Sequence, residues 1–299
     1  MKNKEFKLLL IEGNPPLKVR YYEAAGIPKG IIIFVHGVSH GAWCWENFAK
    51  FFTDNGYACF MLNLRDHGDD DKNIPKKACL SDYVDDVARC VAYCKAFCEN
   101  PENKLPYSKP FILGHSMGGG LVEIYISEHS DKVKGAILFA PATAQGMGFM
   151  NGLTSTYSKT GRNTAPTVKG HKPNKHLAES NFFVAKVNNK TYTPRITDPK
   201  ELEYYDSQLC SESQKAMFGL IKFDLSNNIH IPVFVIGSYV DAYFPEKSLS
   251  KTADFYDCKT TDTRRKLLIL ENLCHDMMLD PDWRNSAVPI LTFIEDNNK

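Results

Sequence analysis

Apolar and polar positions alternate along this chain in two registers. Wholly apolar runs lie near residues 31, 57, 111, 134, 231 and 266, each bounded by turn-forming residues, and they read as buried strands. Between them run stretches with apolar residues three and four apart, the spacing of a helix that buries one face. Trp45, Phe48, Ala49 and Phe52 give such a stripe to the first helix. Trp283, Ala287, Leu291 and Ile294 give one to the last, which Pro289 is expected to kink. Phe6 to Ile11 and Leu17 to Tyr22, joined through Asn14, Pro15 and Pro16, read as an antiparallel hairpin. This alternation predicts an α/β class: a mostly parallel sheet of about eight strands flanked by helices.

The chemistry is concentrated at one strand end. Phe111, Ile112 and Leu113 run into Gly114-His115-Ser116-Met117-Gly118, a GxSxG turn followed at once by a helical pattern. Small residues at 114 and 118 let the chain turn sharply, which lifts the Ser116 hydroxyl above the sheet edge. A serine needs a base to take its proton, and the base needs a carboxylate to orient it. The strand 231–237 leads into a loop carrying Asp241, and the strand 266–270 leads into a loop carrying His275. Asp276 and Asp280 are rivals for the acid role; Asp276 adjoins His275 and should point elsewhere, while Asp280, before Pro281, reads as a helix N-cap. A developing oxyanion needs two backbone N–H donors, expected from Met117 and from Val38 in the loop after the strand 31–35. His36 reads as a structural member of that loop.

With these residues in place, the chain resembles the α/β-hydrolase superfamily over nearly its whole length. His36-Gly37-Val38-Ser39-His40-Gly41-Ala42-Trp43-Cys44-Trp45 is similar to the corresponding loop of plant methylesterases and hydroxynitrile lyases. His275-Asp276-Met277-Met278-Leu279-Asp280-Pro281-Asp282-Trp283 is more similar to bacterial lysophospholipase-like and carboxylesterase-like members. The resemblance implies a serine esterase acting on a small-molecule ester through an acyl-enzyme on Ser116, with His275 as general base and acid and Asp241 as its orienter. It implies neither cofactor nor metal.

It also implies a cap. About ninety residues without strong strand–helix alternation separate the runs near 134 and 231, too many for a simple connection. Residues 144–228 are therefore expected to form a cap on a core made of 1–143 and 229–299. Phe149, Met150, Leu153, Phe182, Phe183, Tyr204, Tyr205, Met217 and Phe218 are candidates for its inner face. The pocket is expected to draw on His36, His115, Phe149, Met150, Phe182 and Phe183. Thr154 to His176 reads as an exposed loop.

Two other readings stay open. A hydroxynitrile lyase resembles an esterase with an added Thr after the first His and a Lys after the catalytic His; here Val38 follows His36-Gly37 and Asp276 follows His275. A ligand-binding, receptor-like member of the same fold would close its cap with little turnover.

Composition narrows the setting. The 299 residues carry a net charge of +1 with no basic run, which gives no footprint for nucleic acid or an anionic membrane. No apolar stretch is long enough for a signal-peptide core or a bilayer span, so a cytoplasmic location is the expectation. Nine irregularly spaced cysteines read as reduced thiols rather than a disulfide framework. Cys90, Cys94 and Cys98 share one helix face and read as core; Cys44 and Cys274 are expected near the active site, open to thiol reagents. Where many relatives have Arg-Gly-His-Gly, this chain has Arg65-Asp66-His67-Gly68-Asp69-Asp70-Asp71, read as a solvated loop because the EF-hand spacing is missing.

Overall fold

Strands apolar at every position need cover on both faces, and the chain provides it. The computed structural model describes residues 6–68, 77–103, 105, 109–146, 182–187, 191–210, 212–226, 229–259 and 266–298. Phe149, Met150, Leu153, the stretch 154–176 and Asp69 to Asp71 lie outside them. Ten strands are described: β1 (Lys7–Ile11), β2 (Leu17–Tyr22), β3 (Gly30–Val35), β4 (Tyr57–Leu62), β5 (Phe111–His115), β6 (Gly135–Phe139), β7 (Val184–Val187), β8 (Thr191–Pro194), β9 (Val233–Ser238) and β10 (Lys266–Leu270). Eight of them form one sheet in the order β1-β2-β4-β3-β5-β6-β9-β10. β2 alone runs against the rest, so the hairpin and the parallel sheet are both as expected.

The α-helices among the described residues are α1 (Glu46–Asp54), α2 (Leu80–Glu99), α3 (Met117–His129), α4 (Pro199–Gln208), α5 (Gln214–Gly219), α6 (Glu246–Lys259) and α7 (Arg284–Asn297). The pleat of β3 divides the core between them: Ile31 and Ile33 face a cluster with α2, α3 and α6, while Ile32 and Phe34 face α1 and α7. Cys90, Cys94 and Cys98 lie in the first cluster as core residues. α1 buries Phe48, Ala49 and Phe52 as its stripe requires. In α7 Ala287 and Ile294 are buried and Trp283 and Leu291 pack half-buried against the same cluster, as the expected stripe requires; Ser286, Ile290, Phe293 and Asn297 widen the buried face, with Phe293 packing its ring on Phe234 at 5.2 Å. That helix continues through Pro289.

The segment between β6 and β9 contains the β7–β8 hairpin, α4 and α5. Asp198 caps α4 by accepting from Lys200 N–H at 2.9 Å, with Pro199 in the first turn. Two of the candidates for an inner face turn outward: Tyr204 is 46% and Phe218 60% exposed. Tyr205 is buried, and Met217 is half-buried against the core. Among the described residues no helix is long and apolar enough to cross a membrane.

Candidate active site

The loops that follow β3, β5, β9 and β10 leave the same edge of the sheet, the carboxyl ends of parallel strands where α/β folds collect their ligand-binding residues. Ser116 closes β5 with φ 54°, a left-handed conformation that costs a non-glycine residue about 1 kcal/mol or more. Tertiary contacts hold it there. Ser116 N–H donates to Phe139 O at 3.1 Å, and Ser116 O accepts from Ala142 N–H at 2.9 Å. The two motif glycines are sterically required, since a Cβ at Gly118 would meet the carbonyl oxygens of Val35 and His36, and one at Gly114 the carbonyl of Gly118. α3 starts at Met117, so the first unpaired amides of that helix lie beside the serine.

His275 is fully buried, and its Nδ1–H donates to Asp241 Oδ2 at 2.8 Å. Asp241 Oδ1 accepts from the backbone N–H of Tyr243 at 2.6 Å and of Phe244 at 3.1 Å, which fixes the carboxylate. With Nδ1 committed as a donor, the neutral ring presents Nε2 as a lone pair, and that atom is buried without a hydrogen-bond partner. Rings surround it: Tyr243 at 4.8 Å, Phe244 at 5.4 Å and Phe182 at 6.1 Å between centroids. Their low polarity strengthens the Asp241–His275 interaction.

His115 joins the serine turn to the histidine loop. Its Nε2–H donates to His275 O at 3.1 Å, and the two rings lie 4.7 Å apart. Burial pushes its pKa well below the ordinary value and keeps it neutral. His36 is neutral for the same first reason: it accepts from Leu64 N–H at 3.2 Å and donates from Nδ1 to Gly37 O at 2.9 Å. It thus shapes the loop rather than lining a pocket. Val38 follows Gly37, whose Cα lies so close to Ser116 that a Cβ there would approach the serine Cβ to 3.0 Å.

Of the remaining pocket candidates, Phe182 stands against His275, whereas Phe183 stacks flat on Tyr205 at 5.8 Å. Phe149 and Met150 are outside the described residues. Asp276, as expected, does not serve His275; it pairs with His40, Oδ2 to Nε2 at 2.8 Å, with both side chains buried. Burial alone would raise the Asp276 pKa, but the charge of His40 and the hydrogen bond from it outweigh that and leave it lowered. Asp280 is not the N-cap of α7, which is Trp283, although its Oδ1 accepts from Asp282 N–H at 3.0 Å. It is buried in the turn before α7, where it accepts from Cys274 N–H at 3.0 Å and from Arg195 through both oxygens at 3.0 Å. His115, His275 and Asp276 bring one ligand atom each within 4.8 Å of one another. His275 Nδ1 and Asp276 Oδ2 are engaged by Asp241 and His40, while His115 Nδ1, His275 Nε2 and Asp276 Oδ1 are buried without a hydrogen-bond partner.

Other expectations change at this site. Cys44 and Cys274 are wholly buried, and burial raises both thiols well above their ordinary pKa, so neither is a ready target for reagents. The Arg65–Gly68 stretch is only partly solvated: Arg65 holds Asp86 at 2.7 Å, and His67 is buried with Nε2–H donating to Glu212 Oε2 at 3.0 Å. Glu212 and Arg195 had no sequence signal of their own, since their roles depend on partners far away in the chain.

A GxSxG serine, a carboxylate-bound histidine and an adjacent glycine loop at the carboxyl edge of this sheet define an α/β-hydrolase. Residues 26–282 match the family described as serine aminopeptidase, S33, and the chain belongs to that family. A pFDCC methylesterase of Arabidopsis thaliana is 28% identical over 134 residues, covering 41% of this chain and 43% of that protein. A probable lysophospholipase L2 of Haemophilus influenzae is 24% identical over 143 residues, 46% of this chain and 44% of the relative. A monoacylglycerol lipase of Mycolicibacterium smegmatis is 28% identical over 115 residues, 38% of this chain and 39% of the relative. The chain thus spans less than half the length of these curated relatives. Among solved structures, a carboxyl esterase from Bacillus coagulans superposes with a TM-score of 0.71 at 15% identity, covering 99% of each chain. An esterase from Thermogutta terrifontis gives 0.67 at 15% identity, covering 98% of this chain and 100% of that one. The double likeness, to plant methylesterases and to lysophospholipase-like proteins, agrees with the two motif stretches that suggested it.

Proposed function

We propose that the protein hydrolyses carboxylic esters through an acyl-enzyme on Ser116. The observation that carries this reading is the buried His275, bound to Asp241 through Nδ1 and presenting an unpartnered Nε2 on the sheet edge where the turn after β5 places Ser116. In this scheme Ser116 Oγ attacks the acyl carbon as His275 Nε2 takes its proton. The oxyanion is met by the N–H groups of Met117 and Val38, and the alcohol leaves with the proton returned by His275. Water, activated by the same nitrogen, then releases the acid. Asp241 keeps the ring in the tautomer that these steps need.

The inserted segment acts as a cap in this proposal. Phe182 covers the base, and Lys186 N–H donates to Val240 O at 2.7 Å, tying the β7 strand to the loop that carries Asp241. The names of the relatives, a methylesterase, a monoacylglycerol lipase and a lysophospholipase, support a small ester or acylglycerol as substrate. Incubation with a fluorophosphonate and with p-nitrophenyl esters of increasing acyl length, beside Ser116→Ala and His275→Ala, tests the reading. Labelling mapped to Ser116, and turnover lost in both variants, is the expected result. An inert wild type, or turnover that survives Ser116→Ala, overturns it.

A further inference from the structure

The peptide joining Val38 to Ser39 is held at both ends. Its carbonyl accepts from His40 Nδ1–H at 2.6 Å, and its N–H donates to Glu212 Oε2 at 3.1 Å. In the preceding peptide, Gly37 O accepts from His36 Nδ1–H at 2.9 Å and from His40 N–H at 3.3 Å. A trans peptide sets its C=O and N–H in opposite directions, so fixing the Gly37 carbonyl aims the Val38 N–H the other way. Ser39 adopts φ 63°, a conformation that a serine holds only when partners impose it.

Those partners come from separate parts of the chain. Glu212 belongs to the inserted segment, and its buried carboxylate accepts on both oxygens. Oε2 takes Ser39 N–H and His67 Nε2–H, the latter at 3.0 Å; Oε1 takes Tyr83 O–H and Ser213 N–H, both at 2.7 Å. Nearby, Cys210 N–H donates to Ser39 O at 2.9 Å, a second tie from the insertion to the same loop. On the far side, His40 places both nitrogens against acceptors, Val38 O and Asp276 Oδ2, and so acts as a double donor. Asp276 is the chain neighbour of the proposed base. The loop bearing Val38 is thus clamped between the insertion and the histidine loop.

We infer that Glu212 is a positioning residue that, opposite the His40–Asp276 pair, holds the Val38 N–H in line with the developing oxyanion; this rests on the ester-hydrolase reading above. Neither group touches the reacting atoms. A carboxylate is needed at 212 because an amide would turn N–H groups toward donors that require an acceptor.

The test is steady-state kinetics on p-nitrophenyl acetate and fluorophosphonate labelling rates for wild type, Glu212→Gln, Glu212→Asp, Asp276→Asn and Tyr83→Phe. Loss of a whole oxyanion donor costs about 100- to 1000-fold in kcat, so a displaced donor is expected to cost roughly 10- to 100-fold. Glu212→Gln should show that loss with KM within about twofold, with Glu212→Asp recovering part of it. Tyr83→Phe removes one bond to Glu212 but leaves the Ser39 contact, and should keep kcat within about twofold. Because both sides clamp one peptide, Glu212→Gln with Asp276→Asn should cost less than the product of the single losses. If the Glu212 variants do not fold, Asp276→Asn still reads the clamp from its carbonyl end. Unchanged kcat in folded Glu212→Gln and in Asp276→Asn, or an equal loss in Tyr83→Phe, overturns the inference while an active wild type leaves the hydrolase reading standing. An inert wild type overturns both.

Discussion

His275 and Asp241 meet through a single pair of atoms, Nδ1 and Oδ2 at 2.8 Å, while the other Asp241 oxygen is occupied by two backbone amides. Those amides dictate what Asp241→Asn would do. They require an acceptor, so the asparagine Oδ1 stays with Tyr243 and Phe244 and its NH2 turns to His275. The ring must then accept at Nδ1 and carry its proton on Nε2, the wrong tautomer for a base. Asp241→Asn is expected to lower kcat by about 10³- to 10⁴-fold with little change in KM. Steady-state kinetics check this, and a loss below tenfold contradicts the assigned tautomer.

Arg195 is expected to stabilise the histidine loop through Asp280. Asp280 is fully buried and accepts from Cys274 N–H at 3.0 Å, one residue before His275, while Arg195 supplies the countercharge at 3.0 Å on each oxygen. Removing the guanidinium leaves a buried carboxylate uncompensated. Partial exposure of the arginine discounts the usual penalty to roughly 2–3 kcal/mol for Arg195→Met. Urea unfolding of Arg195→Met, Asp280→Asn and the double variant measures it. The double variant should be less destabilised than the sum of the singles; strict additivity would rule out the pairing.

Thiol reactivity separates the cysteines by burial. Cys44 and Cys274 are enclosed and disfavoured as thiolates, whereas Cys79 is exposed at the start of α2. Iodoacetamide with peptide mapping of the native protein is expected to modify Cys79 while sparing Cys44 and Cys274. Both should react once the chain is unfolded in guanidinium. Rapid native modification at 274 accompanied by loss of activity would show that the histidine loop opens.

The strand runs and the GxSxG turn were legible because their causes are local: buried parallel strands must be apolar throughout, and a sharp turn needs glycine at 114 and 118. Asp241 and His275 could be nominated because each follows such a strand. Asp280 was misread because Asp-Pro before a helix is a local cap signal, while its real partner, Arg195, is 85 residues away. The same holds for Glu212, which meets Ser39 across 173 positions and has no motif around it. The buried face of α7 is wider than the expected stripe because the rings of Phe111 and Phe234 also draw in Phe293. Periodicity sees one helix at a time.

Glu123 gives the fold a pH dependence unconnected with the candidate catalytic loops. It is fully buried on α3 beside Tyr256, and neither carboxyl oxygen makes a well-formed hydrogen bond. Burial pushes its pKa well above the ordinary carboxylate value, so the native state keeps a proton that the unfolded chain releases near pH 4.3. Below that pH both states are protonated, and the group contributes no pH dependence. Above it the native state binds more protons, and stability falls by about 1.4 kcal/mol per pH unit until the raised pKa is reached. Glu123→Gln preserves the shape and removes the titration. Its stability relative to wild type should therefore grow as pH rises from 5 toward 8, as measured by urea unfolding at fixed ionic strength. Parallel stability curves for the two proteins across that range would mean that Glu123 is ionised in the folded state.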